Sequence, residues 1–164
     1  MSLLGLHEYG APYRGPTGRF GLHLTLDGYG GEPNWLADPE LVHGWLDGLP
    51  EVLCMTKLIE PCVVTVGPRG DKDPGGVTGF MLVAESHLSV HTFPRRGFVS
   101  ADVYTCQDHL DHERIRASFM ATFGLADVET NLIPRGTRFP LANLDEQTLV
   151  VRPQSEPNLR DSNR

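Results

Sequence analysis

The stretch VAESHLSVHTFP, residues 83–94, gathers reactive side chains inside an otherwise apolar run. Read as one strand, alternation places Glu85, His87, Ser89 and His91 on one face and Ser86, Leu88 and Val90 on the other. Any one of these residues has a structural explanation, such as a histidine satisfied by backbone groups or a hydroxyl tolerated in a strand. As a set they need more, because a carboxylate and two imidazoles on one strand face are costly to bury.

Three chemistries fit these residue types. His87, His91, Cys106, His109 and His112 are all acceptable zinc ligands. However, His87 and His91 lie about 13 Å apart on a strand, and His109 with His112 at i, i+3 lacks a third ligand at fixed spacing. A serine hydrolase would need a G-x-S-x-G elbow, which the chain lacks. The third chemistry uses the Glu85–Ser86 junction itself. A serine hydroxyl can attack the carbonyl before it and turn the peptide bond into an ester. Removal of the serine α-proton then breaks the chain by β-elimination and leaves dehydroalanine, which hydrolyses to a pyruvoyl group. That ketone forms a Schiff base with a substrate amine and acts as an electron sink, the task of pyridoxal phosphate in other decarboxylases. The reaction needs a polarised Glu85 carbonyl, a base and donors for the oxyanion. His91, Thr78 and Cys106 are candidate helpers by type.

The elements that must position these groups are legible in part. Residues 1–19 are rich in Gly, Pro and Tyr and predict an N-terminal arm. FGLHLTLD (20–27) alternates as a half-buried strand, with Phe20, Leu22, Leu24 and Leu26 on one side. A helix follows, with Asp38 as N-cap, Pro39 at its first position, an apolar face from Leu41 to Leu49, and Pro50 closing it. PCVVTV (61–66) predicts a short buried strand, and residues 67–76 a polar glycine-rich loop. Strand signal resumes at Val77 and runs to Phe93, then again over 98–106. Asp108 is the expected cap of a helix over 109–123 that Gly124 ends, with Ile115, Phe119, Met120 and Phe123 buried. A strand over 126–133 comes next; from Pro134 the chain is irregular with one short strand, and residues 153–164 form a polar tail. Strands outnumber helices and short turns join them. The expected fold is therefore α+β, a largely antiparallel sheet with helices on one face, in one domain over 20–152. The uncovered face calls for a second sheet or a second copy.

Composition narrows the partners. The apolar and charged shares, 40% and 21%, suit a globular domain. A net charge of −7 argues against a nucleic acid or an anionic membrane as partner. No apolar run approaches the ~20 residues that cross a bilayer, and the first residues lack the basic segment of a signal peptide. Three cysteines at scattered spacing do not form a disulfide framework, so a cytoplasmic setting is expected.

Two segments, GVTGFMLVAESHLSVHTFP (76–94) and VSADVYTC (99–106), together resemble bacterial-type S-adenosylmethionine decarboxylase, the small self-processing pyruvoyl enzyme of polyamine synthesis. GLHLTLD (21–27) is similar to the opening strand of that family. The resemblance implies that Ser86 becomes the pyruvoyl group, with cleavage between Glu85 and Ser86 and no pyridoxal phosphate or metal. His91 would be the processing base, Thr78 a processing hydroxyl in place of a serine, and Cys106 the proton donor after CO₂ leaves. A thiol must be protonated to donate, so it should not lie beside a strong cation. The implied fold is an α/β sandwich that dimerises, with the active sites at or near the interface of a homo-oligomer of cleaved chains.

The departures from the family pattern fall on recognition. The family continues T-W-P-E where this chain has Thr92, Phe93, Pro94 and Arg95, and Lys72 stands where a phenylalanine is usual. That phenylalanine and the tryptophan sandwich adenine in the family, and loss of one stack costs about 1–3 kcal/mol. This pattern places a basic amino acid, arginine or ornithine, ahead of S-adenosylmethionine as the expected substrate. Arg95 or Lys72 would hold its carboxylate, and Asp73, Asp71 or Glu32 its distal cation. The alternative is an adenine site rebuilt from Phe93 with Tyr29 or Trp35. A zinc enzyme and a non-processing binding protein are the readings of another class.

Overall fold

The computed structural model describes residues 17–143. Of the expected arm only residues 17–19 are described, and the tail over 153–164 lies outside the described residues. Gly18–Phe139 forms one compact unit, and beyond it only Thr17 and residues 140–143 are described.

The strands are β1 (Thr17–Gly18), β2 (Gly21–Tyr29), β3 (Cys62–Val66), β4 (Gly76–Val83), β5 (Ser86–Phe93), β6 (Phe98–Thr105), β7 (Asp127–Arg135) and β8 (Phe139–Pro140). The helices are α1 (Pro33–Leu36), α2 (Pro39–Val52) and α3 (His112–Phe123), with a 3₁₀ turn at Pro94–Arg96. Six strands form one sheet in the order β3-β4-β5-β6-β2-β7, every pair antiparallel, and β1 with β8 makes a separate two-stranded ladder. The α+β class is therefore correct.

Alternation decides the two faces. Leu22, Leu24 and Leu26 of β2, Val99 and Val103 of β6, and Leu88 and Val90 of β5 are buried on one side. There they meet Val42, Trp45 and Leu46 of α2 and Ile115, Phe119 and Phe123 of α3. Trp45 packs on Phe119 and Phe123 with ring centroids 5.4 and 5.8 Å away, which ties the two helices together. The register puts His87, Ser89 and His91 of β5 beside Leu82, Phe80 and Thr78 of β4, all on the opposite face, which no helix among the described residues covers. No helix among the described residues is long and apolar enough to cross a membrane.

Four sequence expectations change, and one short helix is new. The run from Val77 to Phe93 is a hairpin rather than one strand: Val83 pairs with Ser86 and the loop is Ala84–Glu85. Residues 56–58 hold that loop, with Thr56 O accepting from Ala84 N at 2.8 Å and Leu58 N donating to Leu82 O at 3.1 Å. Pro50 does not close α2 but lies buried inside its last turn, where it removes one intrahelical N–H. Asp38 caps that helix as expected, accepting from Glu40 N at 2.9 Å. Asp108 is not the cap of α3. Asp111 is, accepting from Arg114 N at 3.1 Å, because Leu110 is drawn into the core and delays the helix by a turn. β3 is a largely exposed edge strand and not a buried one, since only β4 flanks it. Finally, α1 is a four-residue turn capped by Glu32, too short to leave a periodic signal.

Candidate active site

The hairpin brings the Glu85–Ser86 peptide to the first rung of β5, opposite the end of β6. Ser86 faces Thr105, and the next amide, Cys106 N–H, donates to the Glu85 carbonyl at 2.9 Å. That carbonyl carbon is the one a Ser86 hydroxyl would attack, so its oxygen already has a donor where negative charge would develop. Gly21 lets β2 close on this corner: a Cβ there would stand 2.1 Å from Thr105 O and 2.8 Å from the Cys106 Cα. Ser86 has φ of +156°, a backbone region unusual for a side-chain-bearing residue, with a cost of order 1–3 kcal/mol. The Glu85 carboxylate is tied away from the junction by Thr56 N–H at 2.9 Å.

Ser86 Oγ lies 3.2 Å from His87 Nδ1. The His87 ring sits between Phe80 and Tyr104, with centroids 5.6 and 5.5 Å away. Burial pushes the His87 imidazole below its ordinary pKa; His23 and Arg135 add to this, and Asp102 opposes it. Beyond His87 a polar chain crosses the open face. Arg135 donates to His23 Nδ1 at 2.9 Å, so the His23 proton sits on Nε2, which donates to Asp102 Oδ1 at 2.8 Å. Ser89 donates to the other oxygen of Asp102 at 3.3 Å, and the Arg135 guanidinium lies 5.1 Å over the Tyr104 ring. By residue type alone His87 stands out only as a metal-ligand candidate, and His23, Asp102 and Arg135 have no assigned role. Cross-strand register brings these residues together, and a linear reading carries no trace of it.

Thr78 and His91 are opposite each other across β4 and β5, with Thr78 Oγ1 3.2 Å from His91 Nδ1. They are not beside Ser86. His91 is five residues further along β5, about 17 Å at the rise of a strand, and on the face opposite the Ser86 register position. At that far end a cavity of about 260 Å³ is lined by Lys72, Asp73, Phe93, Arg96 and Phe98. Three of the four expected recognition residues are therefore together. Arg95 is not among them, and Arg96 takes that place, donating to Asp71 O at 2.9 Å. Asp73 accepts from Gly75 N at 2.9 Å. The Phe93 and Phe98 rings are 5.7 Å apart, and Tyr29 packs on Phe98 at 5.4 Å. A second aromatic is thus present, but it is Phe98 rather than Tyr29 or Trp35. Glu32 serves as the α1 cap.

Among the described residues no three His, Cys, Asp or Glu side chains converge, and His109 precedes α3 while His112 opens it, so they do not share a helix face. Cys54, Cys62 and Cys106 are unpaired and exposed.

Residues 22–136 match the protein family described as S-adenosylmethionine decarboxylase. The chain is 37% identical over 91 residues to the S-adenosylmethionine decarboxylase proenzyme of Pyrobaculum islandicum, covering 56% of this chain and 68% of that one. It is 31% identical over 116 residues to the proenzyme of the same description from Thermoplasma acidophilum, covering 71% and 83%. The crystal structure of the adenosylmethionine decarboxylase from Aquifex aeolicus superposes with a TM-score of 0.63 at 27% identity, covering 77% of this chain and 99% of that one.

Proposed function

The chain belongs to the S-adenosylmethionine decarboxylase family, and on that premise we propose that it cleaves itself between Glu85 and Ser86 and then decarboxylates S-adenosylmethionine. The observation that carries the reading is the 2.9 Å bond from Cys106 N–H to the Glu85 carbonyl, next to a serine held at φ of +156°. Attack of Ser86 Oγ on that carbonyl gives an ester through an oxyanion that Cys106 N–H already faces. Loss of the Ser86 α-proton to His91 then breaks the ester Cβ–Oγ bond, expels the main-chain α-carboxylate of Glu85 as the new C-terminus, and leaves the C-terminal piece with a group derived from serine. Once formed, the pyruvoyl group supplies an electron sink for a substrate bound through its amine. Thr78 holds His91, and the exposed Cys106 thiol returns a proton to the substrate carbon.

Within one copy His91 is about 17 Å from Ser86, so the proposal includes a second copy. A two-fold axis near the middle of β5 would lay the His91 end of one open face over the Ser86 end of the other. The exposed apolar side chains of that face, Val64 at 50%, Phe80 at 40% and Leu82 at 39%, support such a covering. The same axis would bring the Lys72–Phe93–Phe98 cavity toward the cleaved junction. A cytoplasmic location belongs to the proposal, supported by three unpaired thiols.

The shift toward arginine or ornithine finds no support in the relatives named above, and the cavity holds two aromatic rings suited to a nucleobase. S-adenosylmethionine is therefore the better reading, and the basic amino acids become its test. Intact mass spectrometry of active protein should show pieces of residues 1–85 and 86–164, the second lacking the serine nitrogen, while Ser86→Ala stays whole. The cleaved enzyme should release CO₂ from S-adenosylmethionine at least tenfold faster than from arginine, ornithine or lysine. An uncut mass in active protein would end the pyruvoyl reading, and preference for an amino acid would end the substrate reading.

A further inference from the structure

One imidazole touches the attacking oxygen in the structure, and the roles assigned above do not use it. We propose that His87, through Nδ1, takes the proton from Ser86 Oγ as that oxygen attacks the Glu85 carbonyl and returns it to the Ser86 nitrogen. The proposal rests on the self-cleavage reading above and concerns its first step alone.

The geometry points to this residue on three independent grounds. Ser86 Oγ and His87 Nδ1 are 3.2 Å apart, within reach for a hydroxyl donating to an unprotonated ring nitrogen. The ring is held in place by Phe80 and Tyr104 on either side, so the acceptor is oriented before the reaction begins. His91, the other candidate base, engages Thr78 at the opposite end of β5. The step balances: the Oγ–C bond forms, the Glu85 C–Ser86 N bond breaks, and one proton moves from Oγ to Nδ1 to the departing nitrogen. No oxidant or co-reactant is needed.

The surroundings keep that nitrogen free to accept. Burial is the largest influence lowering the affinity of the ring for a proton; His23 from β2 and Arg135 from β7 act in the same direction, Asp102 from β6 opposes them, and β4 contributes only the uncharged Phe80. A base of lowered pKa stays unprotonated further into acid. The rate of ester formation should therefore fall on acidification with a midpoint below the ordinary 6.5 of an imidazole.

The decisive variant is His87→Asn, which can accept a hydrogen bond near the Nδ1 position but cannot take a proton. Full-length precursor, made with the wild type in parallel, is followed by intact mass, with hydroxylamine added to cleave any ester. Cleavage should slow about 100-fold or more, without a hydroxylamine-sensitive ester. His91→Ala, by contrast, should accumulate that ester, since it blocks the later step. His87→Ala should regain cleavage with added imidazole, in proportion to its free base, a response that a purely structural role would not give. His87→Asn cleaving within threefold of wild type, an ester accumulating in it, or a folded His87→Ala that imidazole does not rescue would each overturn the proposal. Should wild type itself never cleave at Glu85–Ser86, the self-cleavage reading fails, a result distinct from any of these.

Discussion

In the proposed mechanism Cys106 offers two groups to two different steps. Its amide holds the Glu85 carbonyl at 2.9 Å and its exposed thiol faces solvent beside the junction. A side-chain substitution leaves the amide in place. Cys106→Ala should therefore cleave within a few-fold of wild type, while decarboxylation of the cleaved enzyme falls about 100-fold or more for want of a proton donor. Paired intact-mass and CO₂-release measurements separate the two, and full turnover in this variant would remove Cys106 from the mechanism. Thr78 makes the complementary case. Thr78→Ser keeps the hydroxyl that meets His91 at 3.2 Å and should process normally, whereas Thr78→Val should stall at the ester. These residues were named from their types, and their roles from the family resemblance of the segments that hold them. His87 was not, since its meaning lies in a contact with its neighbour that a regular strand would have pointed to the other face.

At the scale of elements, the corner where β2, β5 and β6 meet holds the Glu85–Ser86 junction, and Gly21 sets the corner. A methyl at Gly21 would meet Thr105 O at 2.1 Å, so β2 or the Thr105–Cys106 backbone must move. Gly21→Ala should cost about 1–3 kcal/mol in denaturant unfolding, as overpacked sites do, and should slow cleavage because the Cys106 amide shifts from the Glu85 carbonyl. Gly48 is the control. A methyl there meets nothing within 4 Å, and the residue lies inside α2. Gly48→Ala should stabilise the chain by up to about 1 kcal/mol through helix propensity and leave cleavage unchanged. Equal cleavage by both variants would separate the corner from the chemistry.

For the whole molecule, the open sheet face carries the proposed pairing of two copies, and the residues of the proposed site divide along it. Ser86 and Cys106 stand at one end of β5 and β6, Thr78 and His91 at the other. If two copies pack face to face, each composite site draws from both. Co-expression of Ser86→Ala with His91→Ala chains should then yield mixed dimers in which the His91→Ala chain is cleaved, though neither variant is cleaved alone. Light scattering should give a dimer mass for wild type, and Leu82→Glu, which places a charge on a 39% exposed apolar position of that face, should shift it toward monomer and slow cleavage. Absence of cleavage in the mixed sample would return the reaction to a single copy.

The sequence by itself determined the class of fold and singled out the Glu85–Ser86 bond on which the proposed self-cleavage rests. Period-two alternation in β2, β5 and β6 assigns each side chain to a face without reference to anything distant. The Glu85–Ser86 dipeptide with Cys106 downstream carries its chemistry in the residue types. Local signals also placed the Asp38 cap and the Gly124 stop, because caps act within one turn. Only the tertiary structure decided which of two aspartates starts α3, that β3 is an exposed edge, and that Arg96 and Phe98 line the cavity in place of Arg95 and Trp35. It also decided that His23, Asp102 and Arg135 join in one chain around His87. Each of these depends on tertiary packing, strand order and register, which bring together residues as far apart as His23 and Arg135, 112 positions away, and no local pattern of side chains records such a partner.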